Sequence, residues 1–381
     1  MSDAVDAGAG TVAPDRTARD LLCELVEIPS PTGEERDCAN RLREFFENRG
    51  REAWIDAVGN VRAPADDAVL LTSHVDTVPG EIPVRVETAD YGEPVLYGRG
   101  SVDAKGPLAA MAVAAVRTGV SFVGVTGEET DSRGARHLVA DRSPPEAVIN
   151  GEPSGWDGYA LGYRGFLPAT YRVETRSVHT SRPDPNALQF AMNWWNRVER
   201  AFGADGDEHE DGAAAESESD TQSESETEPV SVFETVTVKP VAVDGGLSED
   251  GERFRAEIDA QFRIPPDSSA EEIQATVERE LETGEIEWDP AIPPVMVSPR
   301  TPVARALRVG IREVGGDPRP LRKTGTCDMN VYREAWDRPM AVYGPGDSAL
   351  DHAPNEHLPL VELDRAVAVL EAAAETLTEI R

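Results

Sequence analysis

The sequence predicts an α/β protein with a smaller α+β domain inserted into it. Three observations lead there. Short apolar runs, "AVLLTS", "SFVGVTG" and "EAVING", lie among helical stretches and lead into loops that carry His, Asp and Glu. The middle of the chain switches to the two-residue alternation of half-buried strands, and the chain closes on the amphipathic helix "VELDRAVAVLEAAAETLTEI". At 381 residues and 39% hydrophobic, there is material for two cores.

In order, the first helix is expected in "TARDLLCELVEI", where Leu21, Leu22, Leu25 and Val26 recur at helical spacing and Pro29 prevents continuation. A second begins near "TGEERDCANRLREFFENRG", with Thr32 and Glu35 as a candidate capping box and Gly50 as its stop. The three apolar runs suit buried strands of a parallel or mixed sheet. "GPLAAMAVAAVRTG", between the first two, suits a small-residue helix packed closely on that sheet. Further on, "LPATYRVETRSVHTS" and "ERFRAEIDAQFRIPP" alternate like strands, with "NALQFAMNWWNRVERAF" as a helix between them. Trp194 and Trp195 on that helix suit a domain core or a subunit contact. The expected bounds are 15–163 and 296–381 for the main domain and 164–295 for the inserted one. Within the insert, residues 205–228 hold eleven acidic residues and no lysine or arginine. Without an apolar pattern to offset ordering entropy and repulsion, this run is expected to be a disordered surface insertion.

The net charge of -34 disfavours general binding to nucleic acid or anionic membranes. With only three lysines (Lys105, Lys239 and Lys323), it reads as a surface adapted to high salt, as in a halophilic archaeon; the alternative is a docking surface for a basic partner. Cys23, Cys38 and Cys327 are odd in number and far apart, so neither a disulfide framework nor a thiolate zinc site is expected. The start lacks a basic stretch followed by an apolar core, and no apolar run approaches membrane-spanning length; a cytoplasmic location is expected.

The chemistry lies in separate motifs. "LLTSHVDTVPG" puts His74 and Asp76 after a strand, and "GRGSVDAKG" puts Asp103 in a glycine-rich turn before a helix. "TGEET" supplies Glu128 and Glu129, "INGEPSG" supplies Glu152, and "GPGDSALDHAPNEHL" supplies His352. Loops at strand ends of an open α/β sheet meet in one crevice. Carboxylates gathered there raise one another's pKa unless cations compensate them. An oxygen-rich set with histidines resembles the ligands of two divalent ions, Zn²⁺ or Co²⁺.

Taken together and in order, "SHVDTVPG", "GRGSVDAKGPLAAM", "GVTGEETDSRGA", "INGEPSG" and "LDHAPNEHL" resemble the metal-dependent amidohydrolases and exopeptidases of the M20 group. The resemblance implies a zinc-exopeptidase-like catalytic domain with an inserted lid and dimerisation domain, hence a homodimer. It implies that Asp103 bridges two ions, that His74 and Glu152 complete one site, and that Glu129 and His352 complete the other. Asp76 would hold the far nitrogen of His74, Glu128 would act as general base and then acid, and His179 of "RSVHTS" would stabilise the oxyanion. A cis peptide is implied after Asp103. His137, His209 and His357 have no such role.

Within the group, "YRGF", "FRIPP", "KTGTCDMNVY" and "YGPGDSALDHAPNEHL" look most like the hydrolases that free lysine or ornithine from an amino-group carrier protein in lysine and arginine synthesis. That likeness makes the carrier, joined through its terminal glutamate to the amino acid, the expected partner. Arg263 and Lys323 are candidate partners for substrate carboxylates, and Asp328 for a distal ammonium. The alternatives are N-acetylornithine deacetylase, succinyl-diaminopimelate desuccinylase, and a non-catalytic metal-binding or carrier-docking protein.

Overall fold

The computed structural model describes residues 12–89, 92–179, 181–203 and 231–380, so the acidic run at 205–228 lies outside the described residues. The chain divides into two compact units, one of Met1–Tyr163 with Val295–Arg381 and one of Arg164–Pro294.

The first unit is built on a mixed sheet. Its strands run, edge to edge, Trp54–Ile55, Val61–Ala63, Val120–Val125, Asp66–His74, Val148–Gly151, Met340–Val342, Gly158–Tyr163 and Val295–Met296, with Arg319–Lys323 also paired to Gly158–Tyr163. The four strands from Val120–Val125 to Met340–Val342 in that order are parallel to one another. They are buried on both faces, which is why each reads as a continuous apolar run rather than an alternation. Their carboxyl ends point the same way, and the loops leaving them converge.

The helix Lys105–Thr118 is buried from Lys105 to Ala115, and Gly119, at φ +72°, ends it by donating its amide to the Ala115 carbonyl. Small residues let it lie close on the sheet. A Cβ on Gly151 would sit 2.7 Å from Ser73 Cβ and 2.9 Å from Met111 Sδ, closer than packing allows. Each large apolar side chain it buries, such as Leu108 or Met111, contributes roughly 1.5–3 kcal/mol. The helix Arg16–Val26 buries Leu21, Leu22, Leu25 and Val26, with Asp15 as its N-cap. The next helix, Arg36–Glu47, does not use the expected capping box: Glu35 is the N-cap and makes no side-chain cap bond. Thr32 instead donates its hydroxyl to Asp76 Oδ2 at 2.8 Å, so the candidate cap serves the functional site. A small antiparallel sheet of Arg85–Thr88, Pro94–Tyr97 and His357–Pro359 joins the segment before Asp103 to the segment after His352.

The second unit is an antiparallel sheet in the order Thr237–Leu247, Arg253–Ile264, Gly165–Arg176, Glu285–Trp288, with the helices Ala187–Gly203 and Ala270–Arg279. The alternation seen in the sequence becomes burial of Leu167, Ala169, Tyr171 and Val173 on one face. Trp194 is buried and stacked on Tyr171 with centroids 4.2 Å apart, so it is core. Ser269 and Glu272 form a capping box at the start of Ala270–Arg279.

Candidate active site

Three parallel strands of the first unit deliver acids and imidazoles at or just after their carboxyl ends. His74 is the last residue of Asp66–His74, Glu128 and Glu129 sit in the turn after Val120–Val125, and Glu152 follows Val148–Gly151. His352 comes from the longer loop after Met340–Val342 and adopts a left-handed backbone, at φ +60°. Asp103 lies in the turn before the helix Lys105–Thr118, and its peptide bond to Ala104 is cis.

These residues meet. His74 Nε2 is 3.1 Å from Asp103 Oδ1 and 3.7 Å from Glu152 Oε2. His352 Nε2 is 3.2 Å from Asp103 Oδ2 and 3.0 Å from Glu129 Oε2. Asp103 therefore offers one oxygen to each histidine, with Glu152 on one side and Glu129 on the other. Ligand atoms of His74, Asp103 and Glu129 all lie within 4.8 Å of one another, close enough to share one ion.

Asp76 has a different task from the one expected of it. The Nδ1 atom of His74 is 2.9 Å from the backbone carbonyl of Asp76 but 3.7 Å from its carboxylate, so the carbonyl sets the ring orientation and tautomer. The carboxylate, fully buried, accepts the amide of Glu128 on Oδ1 and that of Glu129 on Oδ2, both at 3.2 Å, besides the Thr32 hydroxyl. Two adjacent glutamates can share this turn because a third carboxylate holds their backbone. No sequence pattern distinguishes a carbonyl from a carboxylate partner on the same residue.

The electrostatics are those of acids gathered at one buried centre. Burial and the charge of Glu152 push Glu128 well above the usual carboxylate range, and burial also raises Glu152. Burial and Glu152 together push Asp328 up to about 7, and burial and Asp103 push Asp351 up to about 8. Burial would raise Asp103 too, but its bonds to His352 and His74 hold it well below the ordinary value. Its own bonds to Asp103 and then Glu129 raise His352 to about 10. Glu129 Oε1, Asp328 Oδ1 and Asp351 Oδ1 are buried without a hydrogen-bond partner among the described residues. Buried orphan oxygens are costly unless a cation or donor completes them, and the imidazole and carboxylate donors here fit divalent metals.

The remaining candidates separate by unit. Lys323 Nζ donates to the carbonyl of Pro153, next to Glu152, and to Ser348 Oγ; burial lowers its pKa. It lines an open cavity of about 510 Å³ with Ser154, Asp157, Arg319, Arg322 and Asp347. Asp328 is buried at the first residue of the helix Asp328–Ala335. His179 and Arg263 belong to the second unit. There His179 is exposed with Nδ1 2.8 Å from Ser181 Oγ, and the Arg263 guanidinium lies 4.6 Å from the centre of the Phe166 ring. His137 stands 3.9 Å from Asp56, and His357 stacks on Tyr97. Sequence reasoning passed over Glu356. It lies within "LDHAPNEHL", but its partners are backbone amides some 250 positions away in the chain.

A mixed sheet whose parallel strands bring imidazoles and carboxylates from their ends to one centre is the arrangement of a metal-dependent hydrolase. This chain belongs to Peptidase family M20/M25/M40, whose sequence model matches residues 70–376. It is 40% identical to the LysW-lysine hydrolase of Deinococcus radiodurans, over 96% of this chain and 99% of that protein. It is 30% identical to the LysW-lysine/LysW-ornithine hydrolase of Sulfurisphaera tokodaii, over 95% of this chain and 96% of that one. Among solved structures, an M20 family metallo-carboxypeptidase from Sulfolobus solfataricus superposes with a TM-score of 0.75 at 19% identity, covering 95% of this chain and 99% of that one. A dinuclear metal-binding peptidase of the M20 family from Bacillus subtilis superposes at 0.62 and 14% identity, covering 95% and 98% of the two chains.

Proposed function

We propose that this chain is a di-metal amide hydrolase that releases lysine, ornithine or both from the C-terminal glutamate of an amino-group carrier protein, in lysine and arginine synthesis in the cytoplasm. The observation that carries the reading is the placement of Asp103 between two histidines, with Glu128 in the turn that carries Glu129. The substrate class is supported by the names of relatives that match over nearly their whole length.

His74 and Glu152 would hold one divalent ion, Glu129 and His352 the other, and Asp103 both; Zn²⁺ and Co²⁺ suit this donor set. When bound, such ions polarise an amide carbonyl and make water a stronger acid. Glu128, in the same turn as the ligand Glu129, takes the proton of the attacking water and passes it to the departing amine, which leaves no role for a nucleophilic Ser, Cys or Lys. Asp76 holds the turn that aims Glu128. His179 is assigned to the oxyanion, Arg263 and Lys323 to substrate carboxylates, and Asp328 to the distal ammonium of the amino acid.

The unit Arg164–Pro294 is assigned as the lid and dimerisation domain of a homodimer. In support, among the described residues Thr237–Leu247 is an edge strand on which Val241 and Val243 are 54% and 66% exposed, an apolar edge that a second copy would protect. The high-salt reading of the surface stands beside this; salt would screen repulsion between this acidic chain and an acidic carrier.

The test offers carrier conjugates of lysine and of ornithine beside N-acetylornithine and N-succinyl-diaminopimelate, at high salt with Zn²⁺ or Co²⁺, and compares kcat/KM. The conjugates should be preferred by at least about tenfold, equivalent to roughly 1.4 kcal/mol of transition-state binding. Preference for either small substrate would reassign the enzyme within its family. Conjugate binding with no turnover of any substrate, after metal reconstitution, would make it a docking protein.

A further inference from the structure

Glu356 is fully buried and has no part in the chemistry above. It stands one residue before the strand His357–Pro359, which pairs with Pro94–Tyr97 so that His357 lies opposite Tyr97. That register sets Glu356 beside Gly98, whose amide donates to the Glu356 carbonyl at 3.3 Å. The side chain then meets the turn that carries Asp103. Its Oε1 accepts the amides of Val102 at 2.8 Å and Asp103 at 3.1 Å. Its Oε2 accepts the amide of Gly100 at 3.0 Å and Arg99 Nη1 at 2.9 Å. Arg99 also donates to the carbonyl of Ala353, the residue after His352.

Four donors thus converge on one side chain, two on each oxygen. The group ties together two segments far apart in sequence, one bearing Asp103 and the other His352. We propose that Glu356 is a positioning residue for the metal centre. It holds the Asp103 turn and the His352 loop in the register at which the two oxygens of Asp103 face the two histidines. The proposal rests on the reading of this cluster as a two-cation site. Carboxylates that orient metal ligands from behind typically account for 10–100-fold in metal affinity or activity.

Glu356→Gln tests it, since the amide turns a donor toward two of the four donors while keeping the size. Chelator-stripped full-length wild type and E356Q are titrated with Co²⁺ by visible absorption, and turnover is followed at each Co²⁺ concentration. E356Q should take up Co²⁺ about 10–100-fold more weakly. Its turnover should return in part at saturating Co²⁺, with KM near that of wild type. A lower melting temperature with an unchanged Co²⁺ midpoint is what a merely structural side chain would give, and it would overturn the proposal. If wild type itself binds no Co²⁺, the reading of the cluster falls first and the proposal with it. Should E356Q not fold, Arg99→Gln removes the charged partner and the tie to Ala353; it should weaken Co²⁺ uptake several-fold, and unchanged uptake would again be fatal to the idea.

Discussion

The two units of this chain are both rich in carboxylates and keep them in different places. In the first, Asp76, Glu152, Asp328, Glu356 and Asp364 are buried, while among the described residues of the second no carboxylate is. There the acids stay at the surface in pairs such as Arg172 with Glu257 and Glu287, or Arg253 and Arg255 with Glu174. Exposed pairs of this kind contribute little, because water competes for both partners and salt screens their attraction. The second unit is therefore held by its apolar core around Trp194. The first accepts the cost of burying charge where cations and backbone amides can offset it.

The largest expected effect tests whether the buried acids serve chemistry rather than stability. Glu128→Gln should lower kcat by about 10²–10⁴, the usual contribution of a general base, while metal content stays near that of wild type. With metal chelated, the same change should stabilise the protein. Glu128 has a raised folded pKa, so ionising it costs folding energy from the ordinary carboxylate range upward, and the cost is complete above its folded value. The advantage of E128Q in denaturant melts should accordingly grow as pH rises above about 4.3. A metal-free variant less stable than wild type at neutral pH would contradict the comparison.

Next, Trp194→Ala should remove roughly 3–5 kcal/mol from the second unit by opening a cavity against Tyr171. Amide hydrogen exchange would show it as lost protection in Gly165–Arg176 and Arg253–Ile264, with Val120–Val125 little changed. Equal loss in both units would mean that they unfold together and differ in composition alone.

The smallest effect belongs to the surface of the first unit. Burial favours protonation of Asp15, but its bonds to Arg117 and to the Ala18 amide leave its pKa below the ordinary value. Its contribution is thus present above the unfolded pKa and fades as pH falls through the folded one. Asp15→Asn keeps a capping side chain and loses the charge, so it should cost no more than about 1 kcal/mol at pH 7, because Arg117 is 41% exposed. The difference should vanish in acid. A deficit that persists there would locate the effect in the cap rather than the charge.

Much of this architecture was legible in the chain. Continuous apolar runs mark strands buried on both faces, and the spacing of Leu21, Leu22, Leu25 and Val26 marks one face of a helix, because burial acts on side chains at the period of the backbone. The alternation in "LPATYRVETR" marks a sheet with one buried face for the same reason. Legibility failed where a residue's partner is remote or is backbone. Thr32 and Glu35 have the spacing of a capping box, but Asp76, folded back over the turn, offers the hydroxyl a buried acceptor. Asp76 orients His74 through its carbonyl because its carboxylate is taken up by the amides of Glu128 and Glu129.

By itself, then, the amino-acid order determined which segments become strands and helices and which side chains could bind cations or move protons. Those properties follow from local periodicity and residue chemistry. Only the tertiary structure decided that Asp103 faces two histidines and that Glu356 secures the turn beneath it. Such distances arise from strand register and loop closure between segments up to about 250 residues apart, which no local pattern encodes.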